Sequence, residues 1–345
     1  MRFEFYHEGL DKEPKLSVDG TVPNSIHFSH WKGNETPVSV KADTSTEIAL
    51  NLVGSPEREE LTRGIELVTN NHFDTDGVLS VWTVLRGSSA LDLGGRLISA
   101  AEAGDFSEWT SDDGVRASLL IQGSDQPSPN ETTCSPLASH LAGRVVTDEA
   151  QAYELVLPEV ERILTRTGEY ESLWRAPWER LVAAVESFER GESKVEEDSS
   201  RTLSVVTLSP ELYGAGGFEP SRHGAPLTAI SRYAHGRVFL IATPARAGGW
   251  FYRVDYPYYS WAETVVRPAI RRPDLSPCVA ELNELETGNG LWRPDANELA
   301  SAIKFLDAGG DSLAVSKLTP DTVARVLHPA LAQTEAQRVE IAGRG

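Results

Sequence analysis

The chain has 345 residues and carries 51 Asp and Glu against 32 Lys and Arg, a formal net charge of −19. So acidic a balance excludes a general binder of nucleic acid or of an anionic membrane, because a phosphate backbone is held by clustered cations. A local basic pocket is still allowed. With 40% hydrophobic and 24% charged residues the composition is that of a globular protein rather than a disordered one, and at this length one core usually divides, so two domains are expected.

The opening Met1-Arg2-Phe3-Glu4 has no signal-peptide run, and no stretch approaches the roughly 20 apolar residues of a membrane span. Cys134 and Cys278 are too few for a disulfide framework and lack the spacing of a zinc site, so a cytoplasmic location is expected.

In chain order, Ile26 to Trp31 and Val38 to Ala42 read as short strands. Thr44-Ser45-Thr46-Glu47 then opens a helix over 44–53 with the residues of a capping box. A second such unit follows, with a strand at Ile65–Thr69, a polar turn at His72–Gly77 and a helix from Val78. Repeated strand, turn and helix imply a parallel sheet. From 88 to 190 the apolar spacing is helical, at Leu91–Ala103, Val115–Ile121, Ala150–Thr165 and Leu173–Phe188, with a Pro-rich loop at 124–136. The charged, turn-rich stretch ending at Ser200 is the expected linker, over 191–200. Strands return at 203–208, 238–243, 250–255 and 303–306, with helices near 277–286 and 319–327. The expected fold is α/β: an N-terminal parallel-sheet domain over 1–190, Rossmann-like with a helical segment at 88–190, and a smaller α+β domain over 201–345.

His72-Phe73-Asp74-Thr75-Asp76-Gly77 is the sharpest chemical feature. On an extended segment His72, Asp74 and Asp76 point to one side, so an imidazole and two carboxylates converge at the carboxyl end of a strand, where open α/β sheets place ligands. These donors suit a divalent cation such as Mn²⁺ or Mg²⁺, with Fe or Zn as alternatives, and two cations would need a bridging carboxylate. The plainer reading is a turn in which Asp76 caps the following helix.

Residues Val68 to Trp82 resemble the first motif of the DHH phosphoesterase superfamily, which includes family II inorganic pyrophosphatases, single-strand exonucleases, oligoribonucleases and cyclic-dinucleotide phosphodiesterases. The resemblance implies a two-domain hydrolase with two manganese ions, in which a water activated by the metals attacks phosphorus. Carried over, His72 and Asp74 would serve one metal and Asp76 the other. The chain has no Asp-His-His triplet and no Gly-rich His motif; the nearest stretch is Gly214–Gly217 followed by Ser221-Arg222-His223-Gly224. As a whole the chain resembles an uncharacterised actinobacterial family.

Other ligands are sought at neighbouring strand ends. Asp43 is the leading bridging carboxylate, against a role as N-cap of the helix at 44–53; His30 and Asp105 are further candidates. Arg222, His223, Arg232, His235 and Arg237 form a basic cluster in an acidic chain, suited to a phosphate or carboxylate, and Arg267 extends it. The aromatic run Trp250–Trp261 reads as the inner face of a sheet or as a stacking surface for a base. There is no P-loop, nucleophile elbow or His-Glu-x-x-His helix.

The expected function is metal-dependent hydrolysis of a small phosphorylated or phosphodiester substrate by His72, Asp74 and Asp76. The alternatives are a metal enzyme acting on a non-phosphate small molecule, or a non-catalytic ligand-binding protein. The expected partners are a small anionic substrate and a second copy of the chain, with no extended nucleic acid and no membrane.

Overall fold

The computed structural model describes residues 1–124, 133–197, 200, 202–295 and 299–342, with side chains as far as residue 332. The chain divides into two compact units, one of residues 1–179 with 261–269 and one of residues 180–260 with those from 270 onward. The Pro-rich loop expected at 124–136 falls largely outside the described residues, although Pro136 opens a helix at its far end.

The N-terminal unit runs β1 (Arg2–Phe3), β2 (Lys15–Val18), β3 (Ile26–Phe28), α1 (Ser45–Gly54), α2 (Arg58–Leu61), β4 (Leu67–Thr69) and α3 (Thr75–Arg86). Helices α4 (Gly94–Phe106), α5 (Asp112–Ile121), α6 (Pro136–Ala142), α7 (Glu149–Val156), α8 (Val160–Thr165) and α9 (Glu171–Glu189) follow. The four strands form one parallel sheet in the order β1-β4-β2-β3. Every residue of β2 and β4 is buried, as expected of parallel strands covered on both faces. Lys15 is the exception in chemistry, and its ammonium is satisfied by the carbonyls of Leu10, Glu13 and Asn24.

The register sets where the chemistry lies. Val18 pairs with Phe28 and Ser17 with Thr69, so β2, β3 and β4 end side by side. The residues just beyond them, Asp19, His30 and the stretch from Asn70 to Asp76, share one edge of the sheet. Helix α4 reaches the same edge because Gly104 lets it approach: a Cβ there would lie 2.6 Å from the Cβ of Thr75 in α3.

Residues 38–42 are not a strand. Pro37 lacks an N–H and its carbonyl closes a turn onto Val40, leaving Val38 90% exposed. The helix expected over 150–165 is broken at Pro158 into α7 and α8.

The C-terminal unit contains the end of α9, β5 (Lys194–Glu197), β6 (Leu203–Thr207), α10 (Leu227–Ile230), β7 (Val238–Pro244), β8 (Trp250–Asp255), α11 (Ser276–Leu285), β9 (Leu291–Pro294), β10 (Ser301–Leu306) and α12 (Pro320–Ala342). Its mixed sheet runs β5-β6-β7-β8-β10-β9, parallel only between β6 and β7. The expected linker over 191–200 therefore holds an edge strand, β5, whose alternating Val195 packs inward although its neighbours are charged. Leu240, Tyr252, Trp292 and Phe305 pack under Leu282 of α11 and Val323 and Leu327 of α12. Phe239 and Ile241 face the other way, onto Phe188, Leu227 and Ile230. Tyr252 and Tyr256 are buried, so the aromatic run is sheet interior at those positions. Among the described residues no helix is long and apolar enough to cross a membrane.

Candidate metal centre

At the end of β4 the Asn70 Oδ1 accepts the N–H groups of Asn71 and His72, at 2.5 and 3.0 Å, and bends the chain. Asp74 then caps α3, its Oδ1 accepting the Gly77 N–H at 2.7 Å, so the helix begins at Thr75, ahead of the expected Val78, and Asp76 lies in its first turn. The cap is Asp74 rather than Asp76. The Asp76 carboxylate instead accepts the Ser45 and Thr46 N–H groups, both at 2.7 Å, at the amino end of α1, where the helix dipole favours negative charge.

Two groups of donors result. Asp19, His72 and Asp74 form one, and Asp19, His30, Asp76 and Asp105 the other, each with its donor atoms within 4.8 Å of one another. The His72 Nε2 lies 3.1 Å from Asp19 Oδ2 and 3.2 Å from Asp74 Oδ2. The His30 Nε2 lies 3.0 Å from Asp105 Oδ2, 3.4 Å from Asp19 Oδ1 and 3.8 Å from Asp76 Oδ2. Asp19 thus turns one oxygen to each histidine.

These contacts are ion pairs when the imidazoles are protonated, but with neutral rings they leave the facing atoms unpaired. Asp19 Oδ1 and Oδ2, His30 Nε2, His72 Nε2 and Asp105 Oδ2 are all buried without a hydrogen-bond partner. Buried polar atoms are normally paired, and leaving one unpaired costs about 1–3 kcal/mol; five in one place, converging on common points, could hold a cation. The residues fit a divalent metal, with three carboxylates and an imidazole in one group and two carboxylates and an imidazole in the other.

The outer contacts set the tautomers. His30 Nδ1 lies 2.7 Å from the Asp43 carbonyl, which can only accept, so Nδ1 carries the hydrogen and Nε2 offers its lone pair. His72 Nδ1 lies 3.1 Å from Asn71 Oδ1 and is fixed in the same sense. Tyr153, clamped by Phe3, Phe5 and Phe73, comes close to Asp74 at the helix start, and burial with that charge holds its phenol protonated.

Without a cation, protons take its place. Burial, with the charges of Asp19 and Asp105, raises Asp76 well above the usual carboxylate range, and burial with the charge of Asp74 pushes Asp105 up to about 7. Burial alone would lower both histidines, but their carboxylate neighbours prevail, raising His30 well above its ordinary value and His72 to about 12. Burial would raise Asp19 too, yet His30 and His72 hold it below its usual range.

The cost of ionising Asp105 is absent below its unfolded value of 3.8 and grows as pH rises toward 7. The stability from His72 is complete below 6.5 and declines as pH rises toward 12. Protein freed of cations by a chelator is therefore expected to melt at a lower temperature at pH 8 than at pH 5, and Mn²⁺ should restore the pH 8 value. A chelated protein that gains thermal stability from pH 5 to pH 8 would contradict this.

The structure brings together five of the expected ligands, His30, His72, Asp74, Asp76 and Asp105, and it corrects the sixth. Asp43 is in neither group: its carboxylate is taken by the N–H groups of Val265, Val266 and Arg267 and by the Arg267 guanidinium at 2.8 Å. The N-cap of α1 is Thr44, so that alternative for Asp43 is corrected as well.

Arg267 is likewise not open to a substrate. Besides Asp43 it binds Glu102 at 2.7 Å and Glu108 at 2.9 Å through Nε, with Phe106 beneath it. Arg222, His223, Arg232 and His235 belong to the C-terminal unit. Arg222 pairs with Glu219 at the surface, His223 Nδ1 accepts the Glu219 N–H, and the His235 N–H donates to Glu197.

The residue that sequence reasoning missed is Asp19. A signal was present, since Lys15-Leu16-Ser17-Val18 runs straight into Asp19-Gly20 as the later motif runs into Asp76-Gly77. Trp31 and Trp261 also stand beside the site. Trp261 meets the His30 ring edge-on at 4.9 Å and Trp31 at 4.6 Å, and the indole N–H of each is buried without a partner.

Comparison with known proteins adds little chemistry. Residues 1–338 match the model of a family described as a family of unknown function, DUF6687. No curated protein matches. A solved structure titled as the pGpG-specific phosphodiesterase PggH from Vibrio cholerae is similar at 12% identity with a TM-score of 0.37, over 93% of this chain and 83% of that one. The functional reading rests on the site itself.

Proposed function

We propose, from the premise that the chain belongs to the family DUF6687, that this protein is a metal-dependent hydrolase of a small phosphorylated or phosphodiester substrate. One observation carries the reading: the five buried donor atoms of Asp19, His30, His72 and Asp105 that have no hydrogen-bond partner and converge at the carboxyl edge of a parallel sheet. His72, Asp74 and Asp19 would hold one cation, and Asp19, His30, Asp76 and Asp105 a second, with Asp19 as the bridge. Two divalent cations, when bound, supply an activated water and countercharge for phosphoryl oxygens.

The chain's own residues prepare the place. The Asp43 carbonyl and Asn71 fix the imidazole tautomers, the start of α1 orients Asp76, and Trp31 and Trp261 limit solvent beside the two histidines. A net charge of −19 repels long polyanions, which favours a small substrate. Arg222, His223, Arg232 and His235, in the C-terminal unit, are proposed as a separate anion-binding cluster. A chain with two cysteines in 345 residues has no need of an oxidising compartment, and a cytoplasmic location is proposed.

The test is elemental analysis of the protein purified after incubation with Mn²⁺, followed by assay on bis(p-nitrophenyl) phosphate, p-nitrophenyl phosphate and short dinucleotides. One to two bound equivalents with turnover of at least one ester class is the expected result. Bound cations with no turnover of any phosphate ester would overturn the phosphate assignment in favour of a non-phosphate substrate, the reading that the missing Asp-His-His triplet supports. No bound cation would overturn the metal assignment.

A further inference from the structure

The two donor groups are not equivalent, and the difference is one of burial, number and anchoring. Asp19, His30, Asp76 and Asp105 are 1%, 0%, 0% and 6% exposed. In the other group the side chains of His72 and Asp74 are 29% and 25% exposed. The deep group offers four protein donors and the shallow one three. In zinc proteins, sites with four protein ligands are the structural kind and sites with three leave room for water and substrate; a six-coordinate cation such as Mn²⁺ would likewise keep fewer open positions at the deep group than at the shallow one.

Anchoring follows the same division. Asp76 is held by two backbone N–H groups of α1. His30 is held at both ends, its Nδ1 by the Asp43 carbonyl and its own carbonyl by the Glu263 N–H at 2.7 Å. Asp43 is in turn fastened by three N–H groups of residues 265–267. Three carboxylates almost wholly removed from water beside a single imidazole are sustained by a bound cation or by added protons, since unpaired buried charge costs several kcal/mol. His72, by contrast, is tied to Asn71 next to it in the chain, and Asp74 to the Gly77 N–H one turn on.

Resting on the hydrolase reading above, we infer that the two cation positions differ in kind. The His30 position is a closed, slowly exchanging one that stabilises the N-terminal unit. The His72 position is an open, readily exchanged one whose occupancy by free divalent cation sets how much of the protein is active. The enzyme would then respond to cation supply without unfolding, because the cation it loses first is not the one that supports its fold.

The test uses full-length protein loaded with Mn²⁺ and then held in excess EDTA at neutral pH. Residual metal is measured by elemental analysis over time, and the melting temperature is taken at each point. One of two equivalents is expected to leave at least about tenfold faster than the other, by the usual size of ligand effects on metal sites, with no change in melting temperature; loss of the second should lower it. Asp74→Asn should start with the slow equivalent only and melt like wild type. Asp105→Asn should lack the slow equivalent and melt lower.

Two equivalents leaving at one rate with one effect on melting would overturn the inference and leave the hydrolase reading standing. Loss of the slow equivalent in Asp74→Asn would do the same. Absence of any cation in wild type would overturn both. If Asp105→Asn does not fold, the wild-type time course and Asp74→Asn decide the matter.

Discussion

Asp19→Asn is expected to weaken cation binding at both donor groups and, on the hydrolase reading, to lower phosphoester turnover by about a hundredfold, since it removes the one carboxylate that both groups share. The substitution is well controlled. Asp19 has a left-handed backbone with φ of 63°, a conformation that asparagine tolerates nearly as well as aspartate, and the side chains are nearly the same size. The backbone N–H at this position still reaches the Phe28 carbonyl, so the strand end is kept. An amide offers one oxygen where the carboxylate offers two, and Asp19 turns one oxygen to His30 and the other to His72. Elemental analysis and a Mn²⁺ titration monitored by spin resonance would measure the outcome. An Asp19→Asn protein that holds two equivalents as tightly as wild type would refute the bridge.

Arg267→Met is expected to lower stability by about 3 kcal/mol, the usual cost of removing one partner from a largely buried ion network, or roughly 6–12 °C in melting temperature for a unit of this size. The guanidinium joins Asp43, Glu102 and Glu108, and its side chain is 16% exposed. Without it three carboxylates face one another beside Phe106. Burial opposes the charge of Arg267, yet its carboxylates hold it firmly protonated, so no ordinary pH relieves the loss. The same variant separates two roles. If Arg267 held a substrate anion, as its basic neighbourhood in the sequence implies, KM would rise while the melting temperature stayed put; a structural role predicts the melting temperature to fall. Asp43→Asn should reproduce part of the effect, because it removes the charge that pairs with the Arg267 guanidinium.

The segment from Leu67 to Arg86 is legible in the sequence because a short apolar strand, a polar turn and an apolar helix follow one another with little ambiguity. His30 is legible for the same reason, lying just past a short alternating run. Asp19 is hidden because its strand contains a buried lysine, and a lysine satisfied by three backbone carbonyls leaves no trace in hydrophobic pattern. Asp43 is misplaced because Val38 to Ala42 imitates a strand, while Pro37 turns the chain there instead. Its true partners are 222 to 224 residues away, a separation that no local pattern encodes. Strands β5 and β9 escape notice because they lie at the two edges of the second sheet, where charged residues are accepted.

That long separation also bears on how the protein is made. Chains fold from the amino end as they leave the ribosome, at about 5–20 residues per second. Residues 261–269 belong to the first unit, yet they emerge only after most of the second unit's strands have been synthesised. Until then Asp43 has no amide groups to receive it, and His30 lacks its contact with Glu263. The nascent first unit is thus a carboxylate-rich, unfinished nest through much of its synthesis. A fragment ending at residue 179 would stay at that stage, and completing it would require residues 261–269 to be joined to it.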